Sequence, residues 1–243
     1  MGKIDIPKAR DELAERGWTV IQEAVTGAPD GMDGMEGVDS AAVLDLASRF
    51  GTPSSRDSGA LVWEVRPREG MEGGTFSEVA GAIPFHTDAQ YRAVPEALVA
   101  LFVVRPARDG GHTRLLTARS AFEALAREPY GEEIRAELKR PRWRWVVPES
   151  FREPDTPPLS PPAAVIESGD TVRWRPDNLV APDEQGGEGA ARFASCLAHA
   201  PGAVELDHHA GDLIVLDNRR VLHARGAFRD PRRLLLRIRL WAS

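Results

Sequence analysis

The sequence predicts a mainly β fold, a sandwich or jelly roll with buttressing helices. Many short strand-like runs lie late in the chain, whereas helical periodicity is concentrated early and in the middle. The stretch EALVALFVVRPA is continuously apolar, as a buried strand is, and RRLLLRIRLW near the C-terminus has strand character with alternating faces. Sandwiches and barrels of 243 residues are routinely undivided, so we expect one domain spanning 1–243.

The first third of the chain alternates helical and extended patterns. Residues 7–16 predict a short amphipathic helix that stops at Gly17, and WTVIQEAV predicts a strand after it. A glycine-rich loop at 26–38 separates this strand from a second helix, SAAVLDLASRFG, for which Asp39 or Ser40 is the N-cap. ALVWEVRP is strand-like again.

The middle of the chain mixes both types of element. GGHTRLLTA predicts a strand, and SAFEALAREPYGEEIRAELKR predicts a helix in two pieces because Pro129 and Gly131 interrupt it. RWRWVV predicts a strand whose residues Trp143 and Trp145 share a face that packs in the core. After a proline-rich loop, AAVIESGDTVRWRP predicts a hairpin that turns around Gly169, and ARFASCLAHA predicts a helix.

The end of the chain has the clearest pattern. GDLIVLDNRRVLHARGAF and RRLLLRIRLW predict two strands joined by a short turn around RDPR. By alternation, Arg233, Arg237 and Arg239 share one face with Leu235, and the opposite face is apolar. For Arg239 we expect a solvated outer face. A strand that lines a barrel with arginines beside a binding site is the functional alternative for this face.

Composition restricts the partners and the compartment. A net charge of -6 argues against non-specific nucleic-acid binding, although basic runs such as KRPRWRW keep small anions as candidate ligands. The single cysteine, Cys196, excludes an intramolecular disulfide, the N-terminus has no apolar core of signal-peptide length, and no apolar run approaches the length of a membrane span. We therefore expect a cytoplasmic protein with a small-molecule partner and with neither nucleic acid nor membrane as partner. The sequence predicts no particular oligomeric state.

The stretch PFHTDAQY contains a candidate pair of metal ligands, His86 and Asp88. On a strand, both side chains would project from one face and could reach one ion, whereas in a surface turn their proximity would be incidental. His223, in a later strand-like run, would complete a set of two histidines and one carboxylate. Such a set leaves adjacent coordination positions open, as non-haem Fe(II) oxygenases require. Zinc accepts the same ligands.

The arginines that follow His223 bear on the choice between these metals. An Fe(II) oxygenase of this type usually takes 2-oxoglutarate, whose far carboxylate needs a buried arginine, preferably with a hydroxyl beside it. Arg233 and Arg237 are candidates for this role. A zinc hydrolase would need a general base, and the sequence offers none beside His86. A metal-free binding protein would be expected to have lost a ligand, and none is missing. Both stay as less favoured alternatives.

Four motifs resemble, in order, those of the 2-oxoglutarate-dependent taurine dioxygenase (TauD/TfdA) family with its clavaminate synthase-like relatives: PFHTDAQY, RPARDGGHTRLL, GDLIVLDNRRVLHARGAF and RRLLLRIRLW. The N-terminal part matches only loosely. The resemblance implies a double-stranded β-helix (jelly roll, cupin-like) and an iron dioxygenase that uses Fe(II), 2-oxoglutarate and O2. Such an enzyme oxidises, and most often hydroxylates, an unactivated C–H bond of a small molecule, with release of succinate and CO2.

The resemblance also implies roles for particular residues. Halogenating relatives have a small residue in place of the carboxylate, so Asp88 implies oxygenation rather than halogenation. Arg237 matches a position that contacts the 2-oxoglutarate 1-carboxylate or the substrate, and the alignment allows Arg233 and Arg237 to exchange roles. The implied iron ligands are His86, Asp88 and His223, and the implied contacts of the far carboxylate are Thr113 and Arg233.

Substrate recognition is predicted only in outline. Arginines near the site predict a substrate with a carboxylate or another anionic group, such as an amino-acid-like compound or a natural-product intermediate. A lid is expected at 68–82 or 148–162. The motifs do not distinguish hydroxylation from desaturation or ring closure. The candidate substrate contacts are Tyr91, Arg92, Trp174, Arg175 and Arg66.

Overall fold

The structure, a computed structural model, describes residues 4–25, 38–56, 59–68, 70, 75–152 and 155–242. The predicted glycine-rich loop lies outside these ranges except for Val38. The helices of the described ranges are α1 (Ile6–Arg16), α2 (Ser40–Ser48), α3 (Ala118–Leu125), α4 (Gly131–Leu138) and α5 (Glu184–His199). The strands are β1 (Trp18–Ile21), β2 (Gly51–Pro53), β3 (Trp63–Val65), β4 (Ile83–His86), β5 (Leu98–Arg105), β6 (Thr113–Thr117), β7 (Arg144–Trp145), β8 (Leu179–Val180), β9 (Val204–Glu205), β10 (Leu213–Asp217), β11 (Val221–Arg225) and β12 (Leu234–Ala242). None of the described helices is long and apolar enough to cross a membrane.

Two antiparallel sheets form the framework of the described chain. The larger sheet has six strands, in the order β1-β10-β5-β12-β2, with β3 also paired to β12. The smaller sheet has four strands, in the order β4-β11-β6-β9, and β7 pairs separately with β8. This architecture confirms the predicted mainly β, jelly-roll fold with buttressing helices.

The two sheets pack against each other through alternate residues of their strands. Leu101 of β5 and Leu235 of β12 share one buried cluster with Leu115 of the smaller sheet. The opposite face of β5 and β12, which includes Phe102 and Leu236, is buried in a second cluster with residues of α1 and α2. The side chains that share the face of Leu235 therefore point between the sheets.

The helices follow the predicted boundaries closely, with one exception. α1 ends at Gly17, which adopts φ 89°, and the Asp39 carboxylate caps α2 by accepting two backbone N–H groups. The exception is α5, which begins at Glu184, before the predicted ARFASCLAHA. The Asp183 carboxylate caps this helix through the N–H of Gly186, so the glycine-rich first turns are helical despite their low propensity.

The prediction of two C-terminal strands joined by a short turn around RDPR is wrong in the number of strands, because these stretches form three. GDLIVLDNRRVLHARGAF forms two strands, because the Asp217 carboxylate accepts the N–H groups of Arg219 and Arg220 and turns the chain between them. β10 pairs with β5 in the larger sheet, whereas β11 pairs with β4 and β6 in the smaller sheet. β12 returns to the larger sheet, so His223 and the basic residues of β12 come from opposite sheets.

Two other predicted extended segments are shorter than expected. RWRWVV contributes only β7, with Trp143 and Trp145 fully buried as predicted. The predicted hairpin around Gly169 is reduced to one isolated bridge between Ile166 and Val172. Loops therefore make up more of this part of the chain than its alternating pattern indicates.

Candidate metal centre

Three buried side chains from two adjacent strands of the smaller sheet converge in space. His86 is the last residue of β4, Asp88 lies just beyond it, and His223 lies in β11 directly opposite His86. One ligand atom from each of the three lies within 4.8 Å of the other two. The Asp88 Oδ1 atom is 3.7 Å from His86 Nε2 and 4.0 Å from His223 Nε2. The three side chains thus surround a common point.

Asn218 fixes the backbone that carries Asp88. Its Oδ1 accepts the N–H of Asp88 at 2.7 Å, and its Nδ2 donates to the carbonyls of Asp88 at 3.0 Å and Glu96 at 2.9 Å. β4 ends at His86, and Ala89 has a φ of 55°, so the predicted placement of both ligands on one strand is only half right. A turn held by Asn218, rather than strand alternation, brings Asp88 back beside His86.

The electrostatics of the cluster favour metal ligation. Burial lowers the pKa of His223 to about 4 and lowers the pKa of His86 well below its usual value, so both rings are neutral near pH 7. The His86 Nδ1–H donates to the carbonyl of Pro84 at 3.0 Å, which leaves Nε2 as an acceptor that faces the cluster. A metal ion needs its imidazole ligands neutral, as they are here.

Asp88 carries a negative charge under the same conditions. Burial would raise the pKa of its carboxyl, but the charges of Arg237 and Arg239 outweigh burial and lower that pKa below its usual range. Arg237 Nη1 lies 3.1 Å from Asp88 Oδ2, and Arg175 Nη1 lies 3.9 Å from Oδ1. Two neutral imidazoles and one carboxylate are the donor set that a divalent transition metal prefers.

The expectation that Arg239 lies on a solvated outer face is wrong. Its side chain is only 6% exposed, its Nε lies 3.9 Å from Asp88 Oδ2, and its guanidinium group stacks on Phe151. The outer face of β12 is covered by the helices that pack on the larger sheet, so the basic face of the strand must point inward. The carboxylate of Asp88 offsets part of the cost of burying Arg239 there.

Arg233 lies on the same inner face, at the far end of the cavity. It is 2% exposed, and its Nη2 donates to the carbonyl of Gly111 at 3.2 Å. The Nε and Nη1 atoms have no hydrogen-bond partner, and burial lowers the pKa of the guanidinium group to about 10. Gly111 has φ +70°, and an added Cβ would lie 3.0 Å from the Arg233 Nε, so a side chain there would press against the arginine. A buried cation with unsatisfied donors is a ready site for an anion.

One cavity of about 60 Å³ connects the cluster with Arg233. Its lining includes the three cluster residues together with Thr113, Arg233 and Arg237. One water molecule occupies about 10–15 Å³ of such a cavity. A cavity of about 60 Å³ therefore suits a small acid rather than a long chain. The lining thus combines a buried arginine that can bind a carboxylate with candidate metal ligands, which suits an acid with two carboxylates.

The predicted substrate contacts are dispersed. Arg175 lines the cavity, whereas Trp174 is fully buried against Phe193. Tyr91 is buried and stacks with Phe151, and Arg92 donates toward the carbonyl of Arg56. The fifth residue, Arg66, forms an exposed ion pair with Glu64, outside the cavity lining.

The two segments predicted as lids lie near the centre in different ways. From the described part of 68–82, Phe76 and Ser77 line the cavity. From 148–162, Phe151 contacts Arg239 and Trp63. Sequence reasoning did not single out Phe76 or Arg225, both of which line the cavity. Their roles depend on contacts between distant segments, which no local pattern reports.

A jelly roll with two histidines and one carboxylate at the end of its inner cavity defines a class, the non-haem metal enzymes with three protein ligands. Residues 32–239 match the taurine catabolism dioxygenase TauD, TfdA family, and the chain belongs to that family. The protein is therefore a non-haem iron dioxygenase that depends on Fe(II), 2-oxoglutarate and O2.

Solved structures with the same fold include an asparagine oxygenase and the non-haem iron oxygenase OrfP. An asparagine oxygenase in complex with Fe(II), 2S,3S-3-hydroxyasparagine and succinate superposes with a TM-score of 0.76 at 22% identity, covering 98% of this chain and 78% of that one. The non-haem iron oxygenase OrfP with Fe and alpha-ketoglutaric acid gives 0.68 at 21% identity, covering 98% and 80%. An OrfP variant with (3S)-hydroxy-L-Arg gives 0.67 at 22% identity, covering 98% and 79%. Among curated proteins, no sequence matches the chain.

Proposed function

We propose that this dioxygenase hydroxylates an unactivated C–H bond of an amino-acid-like small molecule, with release of succinate and CO2. In this proposal His86, Asp88 and His223 hold the Fe(II). The observation that carries it is the convergence of these three buried side chains within 4.8 Å, at one end of a cavity that has Arg233 at its other end. The neutral imidazoles and the ionised carboxylate suit a divalent ion.

The arginines support distinct roles at the two ends of 2-oxoglutarate. Arg233 has two nitrogen atoms without hydrogen-bond partners and lines the cavity with Thr113, so we assign the far carboxylate to these two residues. Arg237 lies 3.1 Å from Asp88, beside the candidate ligands, and we assign it to the 1-carboxylate or to the substrate. This arrangement favours Arg233 over Arg237 as the clamp of the far carboxylate.

The substrate class rests on charge and on the structural relatives. Among the described residues, the cavity lining has four arginines, Arg175, Arg225, Arg233 and Arg237, and one carboxylate, Asp88. The structures of the two relatives contain hydroxylated amino acids, 2S,3S-3-hydroxyasparagine in one and (3S)-hydroxy-L-Arg in the other. We therefore propose a free amino acid or a related natural-product intermediate, bound through its carboxylate or another anionic group.

The chain contributes positioning and shelter to this reaction. When bound, Fe(II) and 2-oxoglutarate would together with O2, the oxidant, supply the chemistry that oxidises a C–H bond. Asp88 stays ionised because Arg237 and Arg239 face it, and it occupies one side of the metal site. The His86 Nδ1–H donates a hydrogen bond to the carbonyl of Pro84, and this bond orients the ring. The buried walls exclude water from the reacting carbon.

Anaerobic titration tests the proposal. Addition of Fe(II) and 2-oxoglutarate should give the weak visible charge-transfer band of the chelate, and air with candidate amino acids should give succinate and a product with one added oxygen. Absence of the band, together with absence of succinate, would refute the proposed function. A product that has lost two hydrogens instead would identify a desaturase or cyclase of the same family.

A cytoplasmic location forms part of the proposal. It is supported by Cys196, the one cysteine of the sequence, which is a free, buried thiol. The co-substrate, 2-oxoglutarate, is a metabolite of the cell interior.

A further inference from the structure

Arg225 is a buried arginine whose hydrogen bonds go to one neighbouring segment. It is the last residue of β11 and is 6% exposed. Its Nε donates to the carbonyl of Gly81 at 3.0 Å, its Nη1 to that of Phe76 at 3.2 Å, and its Nη2 to that of Val79 at 2.7 Å. Each nitrogen of the guanidinium group thus holds a different backbone carbonyl.

The segment that Arg225 holds, residues 75–81, forms a wall of the metal centre without regular secondary structure. The Phe76 ring lies edge-on to the ring of His86, with 5.3 Å between centroids, and the Arg175 guanidinium carbon lies 4.3 Å from the Phe76 centroid. A backbone hydrogen bond from Gly81 to Phe228 adds to the three bonds from Arg225. Because the segment has no sheet ladder of its own, its position depends on these contacts.

The Phe228 ring contacts both Arg225 and Arg233, the arginine to which we assign the far carboxylate; the space beside Arg233 is called the Arg233 pocket below. The guanidinium carbons of Arg225 and Arg233 lie 4.7 Å and 5.1 Å from the centroid of the same Phe228 ring. The two guanidinium carbons are therefore at most about 10 Å apart, and like charges at that distance repel each other in a water-poor interior. Burial, and after it the charge of Arg233, lowers the pKa of Arg225. A carboxylate bound to Arg233 would offset that repulsion, and Arg225 would then hold its three carbonyls more firmly.

We propose that Arg225 is a positioning residue that couples occupation of the Arg233 pocket by an anion to the placement of Phe76 beside the metal centre. The inference rests on the proposed function, in which the anion is the far carboxylate of 2-oxoglutarate. The 75–81 segment, which forms a wall of the metal centre, then takes its final position only after 2-oxoglutarate has bound. Because coupling between two sites is reciprocal, Arg225 also tightens the binding of 2-oxoglutarate.

Hydrogen–deuterium exchange of the 75–81 amides tests this coupling. The full chain, loaded with Fe(II) under anaerobic conditions, is compared with and without 2-oxoglutarate. In the wild type, 2-oxoglutarate should slow exchange in this segment by about fivefold or more, a typical coupling magnitude. Arg225→Lys keeps the charge but not the planar fork, so it should lose most of this slowing. It should also raise the Kd of 2-oxoglutarate, read from the charge-transfer band, about fivefold to tenfold.

Arg220→Lys is the matched control. Arg220 also holds backbone carbonyls, those of Leu13 and Ala14, but it fastens α1 and lies outside the cavity lining. If arginine-to-carbonyl bonds only support the fold, both variants will lower the melting temperature without changing the response to 2-oxoglutarate. The coupling predicts that Arg225→Lys alone changes that response.

The outcomes separate the coupling from the proposed function. If the band forms but the 75–81 amides exchange at the same rate with and without 2-oxoglutarate, the coupling is refuted and the function stands. If 2-oxoglutarate slows amide exchange in Arg225→Lys as much as in the wild type, the coupling is refuted as well. A wild type that gives no band refutes the function and the coupling together. Should Arg225→Lys not fold, Phe228→Leu removes the shared ring, and unchanged slowing in that variant overturns the coupling.

Discussion

Replacing Arg233 with methionine should weaken 2-oxoglutarate binding without weakening the fold. Methionine fills a similar volume but removes a charge that is 2% exposed and has two nitrogen atoms without hydrogen-bond partners. Hydrogen bonds to charged groups contribute about 1.5–3 kcal/mol each. Loss of a bidentate pair therefore costs about 3–6 kcal/mol, which is a rise of about 100-fold or more in the Kd of 2-oxoglutarate.

The stability of the ligand-free protein should change in the opposite direction. Burial lowers the pKa of Arg233 well below its usual value, to about 10. At about 1.4 kcal/mol for each tenfold change, this lowering opposes the charged form by about 3 kcal/mol. Replacement of a buried charge by an apolar side chain removes that cost, although the bond to the carbonyl of Gly111 is also lost. We expect the free energy of unfolding to be unchanged or to rise by up to about 3 kcal/mol.

Two measurements check both halves of this prediction. Titration of the charge-transfer band gives the Kd of 2-oxoglutarate, and urea unfolding of the metal-free protein gives its stability. Arg232→Met is the matched control, because Arg232 is partly exposed, pairs with Asp230 and lies outside the cavity lining. The reasoning fails if Arg233→Met binds 2-oxoglutarate within about tenfold of the wild type. A loss of binding in Arg237→Met alone would show that the two arginines have exchanged roles.

Three further predictions concern one candidate metal ligand, the residue that supports another, and a buried histidine outside the cluster. His86→Ala should abolish the charge-transfer band, whereas His199→Ala, on the exposed end of α5, should leave it intact; an unaffected band in His86→Ala would exclude this ligand. Asn218→Ala removes three buried hydrogen bonds that hold the turn at Asp88, and it should weaken Fe(II) binding about 10–100-fold, measured by competition with a chelator. Unaltered affinity would show that the turn holds without it. Burial lowers the pKa of His208 from 6.5 to about 4, so the unfolded chain binds a proton there that the folded chain does not, and this residue alone should lower the free energy of unfolding by up to about 3 kcal/mol between pH 6.5 and 4. Urea unfolding at several pH values measures this effect, and His208→Asn should show a smaller fall in the free energy of unfolding than the wild type. The same pH dependence in both proteins would contradict the lowered pKa of His208.

The sequence predicted the fold and the candidate centre where local patterns carry the information. The alternation of RRLLLRIRLW correctly placed Arg233 and Arg237 on one face with Leu235, because side-chain direction along a strand has a period of two. It did not tell which face of β12 the helices cover, and for that reason Arg239 was expected in solvent. Which face of a strand is buried depends on its neighbours, and these come from distant parts of the chain.

Contacts between distant segments set the limit at the site as well. Asp88 reaches His86 through a turn held by Asn218, far along the chain, rather than through the strand alternation that the motif suggested. Arg225 acts on the 75–81 segment through backbone carbonyls, and carbonyls leave no trace in a side-chain pattern. In the same way, the start of α5 was missed because one capping carboxylate, Asp183, outweighs several unfavourable glycines.

If His86 and His223 hold the iron as proposed, their pairing directly opposite each other makes strand register a condition for iron binding. A slip of one residue between β4 and β11 would turn one imidazole to the far side of the sheet. These strands are distant in sequence, so their pairing is a slow, non-local step of folding. Iron that binds only the correctly paired chain stabilises it by mass action, by about 2.7 kcal/mol at 100 times its Kd. Iron binding would therefore favour the chain with the correct strand register, and molecules with slipped strands would bind no iron and would unfold more easily.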